Sequence, residues 1–133
     1  MIKYLITILV GASVLTGCSL FSGNVNQSAG PISIKSAKNG QFQLSEVALN
    51  KPGFIIFYAD NGAGQPGRVV GQSNLLAQGT INDVKVGSSK IEKGQTYYAM
   101  LHYDNGDQKF LIANDRPATD EQGKPIIAQV VAK

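Results

Sequence analysis

The sequence predicts an all-β domain, a two-sheet sandwich of about six to eight short strands. Three observations predict it. From Ile32 onward apolar residues recur with a period of two, the repeat of a strand that buries one face. The 15 Gly and 5 Pro fall mostly between short apolar runs, where turns belong. No stretch sustains the i, i+3, i+4, i+7 spacing of an amphipathic helix.

Along the chain, Gln41 to Leu49 holds Phe42 and Leu44 at one parity and Val47 and Leu49 at the other. A bulge or bend near Ser45-Glu46 brings both pairs to one face. Lys51-Pro52-Gly53 is a turn. Phe54 to Tyr58 is apolar without alternation, as expected of a strand covered on both faces. Asp60 to Gly67 reads as a long glycine-rich loop. Arg68 to Ser73 is a strand, Gly79 punctuates, and Thr80 to Val86 is another, with Val84 and Val86 inward and Lys85 outward. After a turn at Glu92-Lys93-Gly94, Tyr97, Ala99, Leu101 and Tyr103 line one strand face and Tyr98, Met100 and His102 the other. Ile126 to Ala132 closes the fold with Ile126, Ala128 and Val130 on one side.

The N-terminus has a different character. Lys3 is followed by an apolar run from Tyr4 to Leu15, and then Leu15-Thr16-Gly17-Cys18. This arrangement resembles a lipoprotein signal peptide, in which a Leu and two small residues precede the acylated cysteine. Residues 1–17 are therefore read as the signal peptide and Cys18 as the lipidated N-terminus of the mature chain. The competing reading, an uncleaved span from Tyr4 to Phe21, is weakened by Gly11, Ser13, Thr16, Gly17 and Ser19. Residues 18–31 are read as the lipidated terminus and a tether of mostly small and polar residues, and 32–133 as the sandwich domain. The resemblance implies a membrane partner through the acyl chains on Cys18 and a cell-envelope address. Ser19 rather than Asp after the cysteine implies the outer membrane where the host has two. Acylation of the sole cysteine leaves no thiol for a disulfide, so core packing alone holds the domain.

Charged residues make up 16% of the chain, and the formal net charge is +3. The basic residues are spread along the sequence without a run, which argues against nucleic acid as a partner.

Several segments, in order, resemble a domain of unknown function found in surface and secreted proteins of haloarchaea and some bacteria. They are Pro52-Gly-Phe-Ile-Ile-Phe57, Pro66-Gly-Arg-Val-Val-Gly-Gln-Ser73 with Leu75-Leu76 and Gly79, Gly94 to Asp104, Asp115-Arg-Pro, and Gly123-Lys-Pro-Ile126. The resemblance spans roughly residues 41–131. It implies an immunoglobulin-like sandwich and a cell-surface setting, and no reaction. The His that members often carry after the Gly-Phe strand is absent, since Phe57, Tyr58 and Ala59 precede Asp60.

Candidate chemistry is sparse. His102 is the single histidine, and no Gly-x-Ser-x-Gly elbow accompanies it, so its expected role is structural. Blue-copper ligation needs two His and a free Cys. No Glu sits in a recognisable glycosidase setting. Asp104-Asn-Gly-Asp107 invites a calcium reading but lacks the alternating-Asp spacing and the later bidentate Glu. Asn-Gly between two strands is a hairpin signal in its own right, and turn chemistry is the expectation there and at Asp60-Asn61-Gly62. Convergence of His102, Asp104, Asp60 and Asp115 at one end of the sandwich would change that balance. Tyr58, Tyr97, Tyr98 and Tyr103 are expected to pack in strands rather than form a ligand platform.

The expected function is thus a membrane-anchored, non-catalytic structural or binding module of the envelope. Its loops would contact an envelope protein or glycan, with no cofactor. The alternative is a ligand- or metal-binding lipoprotein using the loop-end acids. An enzyme with an unrecognised site comes last.

Overall fold

The computed structural model describes residues 27–133. The signal peptide read over residues 1–17, Cys18 and the tether as far as residue 26 lie outside the described residues.

Seven strands form two antiparallel sheets: β1 (Ile32–Lys38), β2 (Gln41–Leu49), β3 (Gly53–Asp60), β4 (Pro66–Gln72), β5 (Gly79–Gly87), β6 (Thr96–Tyr103) and β7 (Ile127–Val131). One sheet runs β1-β2-β5 and the other β4-β3-β6-β7. This is an immunoglobulin-like strand order, in which the chain crosses between sheets after β2, β4 and β5. Among the described residues no helix is long and apolar enough to cross a membrane.

The two sheets close on one core. Phe42, Leu44, Val47 and Leu49 of β2 all face it, together with Ile55, Phe57, Tyr97, Ala99, Leu101, Ala128 and Val130. The parity conflict in β2 is resolved by a bulge at Ser45. Ser33 pairs with Glu46 and Ile34 with Leu44, leaving Ser45 without a partner in β1. Across from it in β5, Asp83 takes a φ of 57° and its carboxylate accepts a hydrogen bond from the Gln43 amide at 2.7 Å. Both strands thereby switch faces together, which keeps Val84 and Val86 buried as well.

β3 is buried on both faces, as its unbroken apolar run predicts. Ile55 and Phe57 join the inter-sheet core, while Phe54, Ile56 and Tyr58 form a second cluster with Tyr98 and Met100 on the outer face. Leu75 and Phe110 pack over that cluster. Gly53 admits the close approach of β6 here, since a Cβ on it would lie 2.5 Å from the His102 carbonyl oxygen.

Three boundaries differ from the sequence reading. β4 begins at Pro66, so the glycine-rich loop is shorter than Asp60 to Gly67; its residues keep pairing until Asp60 meets Pro66. Gln27 and Ala29, read as part of the tether, already hydrogen-bond to the domain at Gln129 and Ile32. Asp104 to Asp107 does not join two strands: the chain makes a long excursion before β7, pinned by short bridges from His102 to Pro117 and from Thr119 to Pro125. A hairpin signal needs a second strand to pair, and Gln108, with φ 64°, turns the chain into a loop instead.

Candidate functional site

β6 ends at Tyr103, and the Asp104 amide donates to the Pro52 carbonyl at 2.9 Å, which fixes the start of the excursion beside the start of β3. From there a string of side chains caps backbone amides. The Asp104 carboxylate accepts from the amides of Gly106 and Gln108, Asn105 accepts from Asp107, and Asp107 accepts from Lys109. These are the local turns that Asp and Asn favour.

Asp115 closes the excursion. It is wholly buried, with its Oδ1 accepting from the Asn105 amide at 3.0 Å and its Oδ2 from the Leu111 amide at 2.7 Å. Burial of a carboxyl group is tolerated when hydrogen bonds of this kind replace water. The closure brings carboxylate oxygens of Asp104, Asp107 and Asp115 within 4.8 Å of one another. Such an all-oxygen set suits a hard cation such as calcium rather than a softer metal.

His102 stands just behind this loop and is 2% exposed. Its Nδ1 lies 2.8 Å from the Asp115 carbonyl oxygen and its Nε2 lies 2.8 Å from the Tyr58 hydroxyl. A carbonyl only accepts, so Nδ1 carries the proton and Nε2 accepts from the Tyr58 hydroxyl. Both ring nitrogens are thereby committed, and the edge of the Phe110 ring packs at 5.1 Å. Burial pushes the Tyr58 hydroxyl up to about 12, so it stays a donor near neutrality.

The same burial lowers the His102 pKa from its ordinary 6.5, against a smaller opposing pull from the bond to Asp115 and its charge. The folded value therefore lies below the unfolded one. The stability this contributes is complete above the unfolded pKa and is lost as pH falls through the lowered value. A thermal scan across pH 7 to pH 5, roughly the range of imidazole titration, should show the melting temperature falling, with His102→Gln flattening that limb. An unaltered slope in the variant would reject the account.

Of the four residues singled out by sequence, the structure brings Asp104 and Asp115 together and adds Asp107. His102 reaches this group only through the Asp115 backbone, not through its carboxylate. Asp60 sits apart. It ends β3 while Asp104 lies beside its start, so about 25 Å of strand separates them. Its carboxylate accepts from the Tyr98 hydroxyl at 2.7 Å and from the Gly62 amide at 2.8 Å. Tyr98 is accordingly held up to about 12, first by burial and then by the Asp60 bond and charge. The Tyr58–His102 pair escapes sequence reasoning because the partners come from different strands. Only the shared outer-face parity of Tyr98, Met100 and His102 hinted at it.

Residues 32–133 match the family model described as a domain of unknown function, DUF7282. No curated protein and no solved structure matches the chain.

Proposed function

The chain belongs to the DUF7282 family of domains of unknown function, and on that premise we propose that it acts as a lipid-anchored, non-catalytic structural or binding module of the cell envelope. The observation that carries this reading is Leu15-Thr16-Gly17-Cys18 behind an uncharged apolar run, with Gln27, the first of the described residues and hydrogen-bonded to Gln129, a short distance on. Two acyl chains on Cys18 hold a protein at a bilayer stably, since each buried methylene contributes ~0.8 kcal/mol. With Ser19 following, the address is the outer membrane where the host has two membranes.

The polar groups nearest to a catalytic set support a structural role for them. Nδ1 of His102 holds the excursion to β6 through the Asp115 carbonyl, Nε2 takes the Tyr58 hydroxyl within the sheet, and the Asp115 oxygens accept from the Asn105 and Leu111 amides of the excursion itself. That excursion exposes Leu111 and Ile112, at 51% and 62%, to a protein or glycan partner. In the native protein, mass spectrometry should find an N-terminal peptide that begins at a diacylated Cys18. Met1 in place with an unmodified thiol would defeat the proposal. A photocrosslinker at Ile112 in intact cells should give a discrete product that the same label at exposed Thr80 does not; matching patterns would discard the loop as the contact.

A second reading takes its support from the Asp104, Asp107 and Asp115 triad, whose oxygens fit a calcium ion. Calorimetry with calcium on the mature chain should then release heat that Asp107→Asn abolishes, and a flat titration ends this reading without touching the first.

A further inference from the structure

We propose that the Val131 end of the sandwich is a lipid-facing surface, which docks on anionic headgroups of the bilayer carrying the Cys18 anchor; this rests on the lipoprotein reading above. Chain direction supplies the first argument. Gln27 pairs antiparallel with Gln129, and β7 runs from Ile127 to Val131, so the N-terminal side of Gln27 faces the Val131 end. The β1–β2 turn and the segment before β6 gather at the same end. The Lys133 amide donates to the Ala37 carbonyl, the Ser88 amide to Gly40 and the Gly94 amide to Ala132, each at 2.9 Å. Cys18 precedes Gln27 by nine residues. Fully stretched, that span reaches about 30 Å, little more than the length of one strand of the sandwich.

Charge is the second argument. Lys35, Lys38, Arg68, Lys90, Lys93 and Lys133 are all exposed and lie toward this end. Three of them, Lys35, Lys38 and Lys133, line one concavity of about 370 Å³ that has no acidic residue in its wall. A neighbouring hollow of about 160 Å³ is mixed, with Arg68 and Lys90 beside Asp60 and Glu92. The opposite end is mixed: it holds Asp104, Asp107 and Asp115, with Asp120 capping the Gln122 and Lys124 amides nearby, and Lys51 and Arg116 line a hollow beside Asp104. Net positive charge therefore falls at the Val131 end, where six cations meet Asp60 and Glu92, while cations and acids are mixed at the other. Each Lys or Arg at an anionic surface strengthens association about fivefold. The tether keeps the lysines at high effective concentration over the headgroups, so a few such contacts suffice.

Amide hydrogen exchange on the mature lipoprotein, reconstituted into vesicles, tests this. Where Cys18 proves unmodified in the native protein, the same mature chain is coupled through that thiol to a maleimide lipid, which separates failure of the anchor reading from failure of the docking. With phosphatidylglycerol present, amides of Lys38 to Gln41 and Ser88 to Gln95 should exchange about fivefold more slowly, or slower still, than on pure phosphatidylcholine. High salt should erase the difference, because screening then acts within a few ångströms. Lys38→Gln and Lys133→Gln combined should erase it too, at unchanged melting temperature. Equal exchange on both lipids, or protection at Asn105 to Gln108 instead, overturns the proposal. So does the same slowing with inorganic phosphate over phosphatidylcholine, which would assign the lysine concavity to a free anion.

Discussion

Asp115→Ala is expected to destabilise the domain by about 2–5 kcal/mol, with most of the damage between β6 and β7. The reasoning starts from two backbone amides. Those of Asn105 and Leu111 donate to a carboxylate that water does not reach. Removing the carboxylate leaves both donors unmet, and each buried unmet group costs about 1–3 kcal/mol. The Asp115 carbonyl also holds His102 Nδ1, so the shift propagates into the outer face of the sheet, where Phe110 packs against both His102 and Phe54. Urea unfolding measures the total, and exchange at the Asn105 and Leu111 amides locates it. Asp115→Asn keeps one accepting oxygen and should lose less. A loss under ~1 kcal/mol for the alanine variant would show that water replaces the carboxylate and that the excursion is held by other means.

Phe57→Ala should be more damaging still, at about 3–5 kcal/mol. The Phe57 ring is fully buried and lies parallel to that of Phe42 in the facing sheet, centroids 3.9 Å apart at 3°. Phe42 in turn meets the Tyr97 ring edge-on at 5.3 Å. The stack bridges the two sheets across the core, and an alanine there opens a cavity that neighbours fixed by strand pairing fill poorly. For a domain of this size the melting temperature should fall by more than about 10 °C. Without a disulfide among the described residues, nothing covalent limits the loss. Phe57→Leu, which keeps more of the volume, should fall between wild type and alanine. A drop of only a few degrees for the alanine variant would mean that the sheets pack through other contacts.

The elements were legible because strand signals are local. Tyr97, Ala99 and Leu101 against Tyr98, Met100 and His102 is a parity that two neighbouring residues reveal. The clash of parity between Leu44 and Val47 announced the bulge at Ser45 for the same reason. What that parity could not reveal was Asp83, whose positive φ mirrors the bulge from a strand far along the chain. The Asn105-Gly106 signal misled because hairpins need a partner strand, and whether one arrives is not a local property. The candidate site was half legible. Asp104 and Asp107 sit in one short segment, but Asp115 joins them only when its carboxylate captures two amides, and Asp60 leaves the group because its strand runs the other way.

By itself the sequence determined the β class, the faces of most strands and the doubly covered β3, all written in short-range patterns of apolarity and size. Tertiary structure alone decided which acids meet, which partner holds His102 and where the cations collect. Lys35, Lys38 and Lys133 look scattered on paper, and the meeting of the β1 edge of one sheet with the β7 edge of the other gathers them at one end. Alternation is set residue by residue by the geometry of the strand, whereas proximity between distant residues is set by how the strands are ordered and connected.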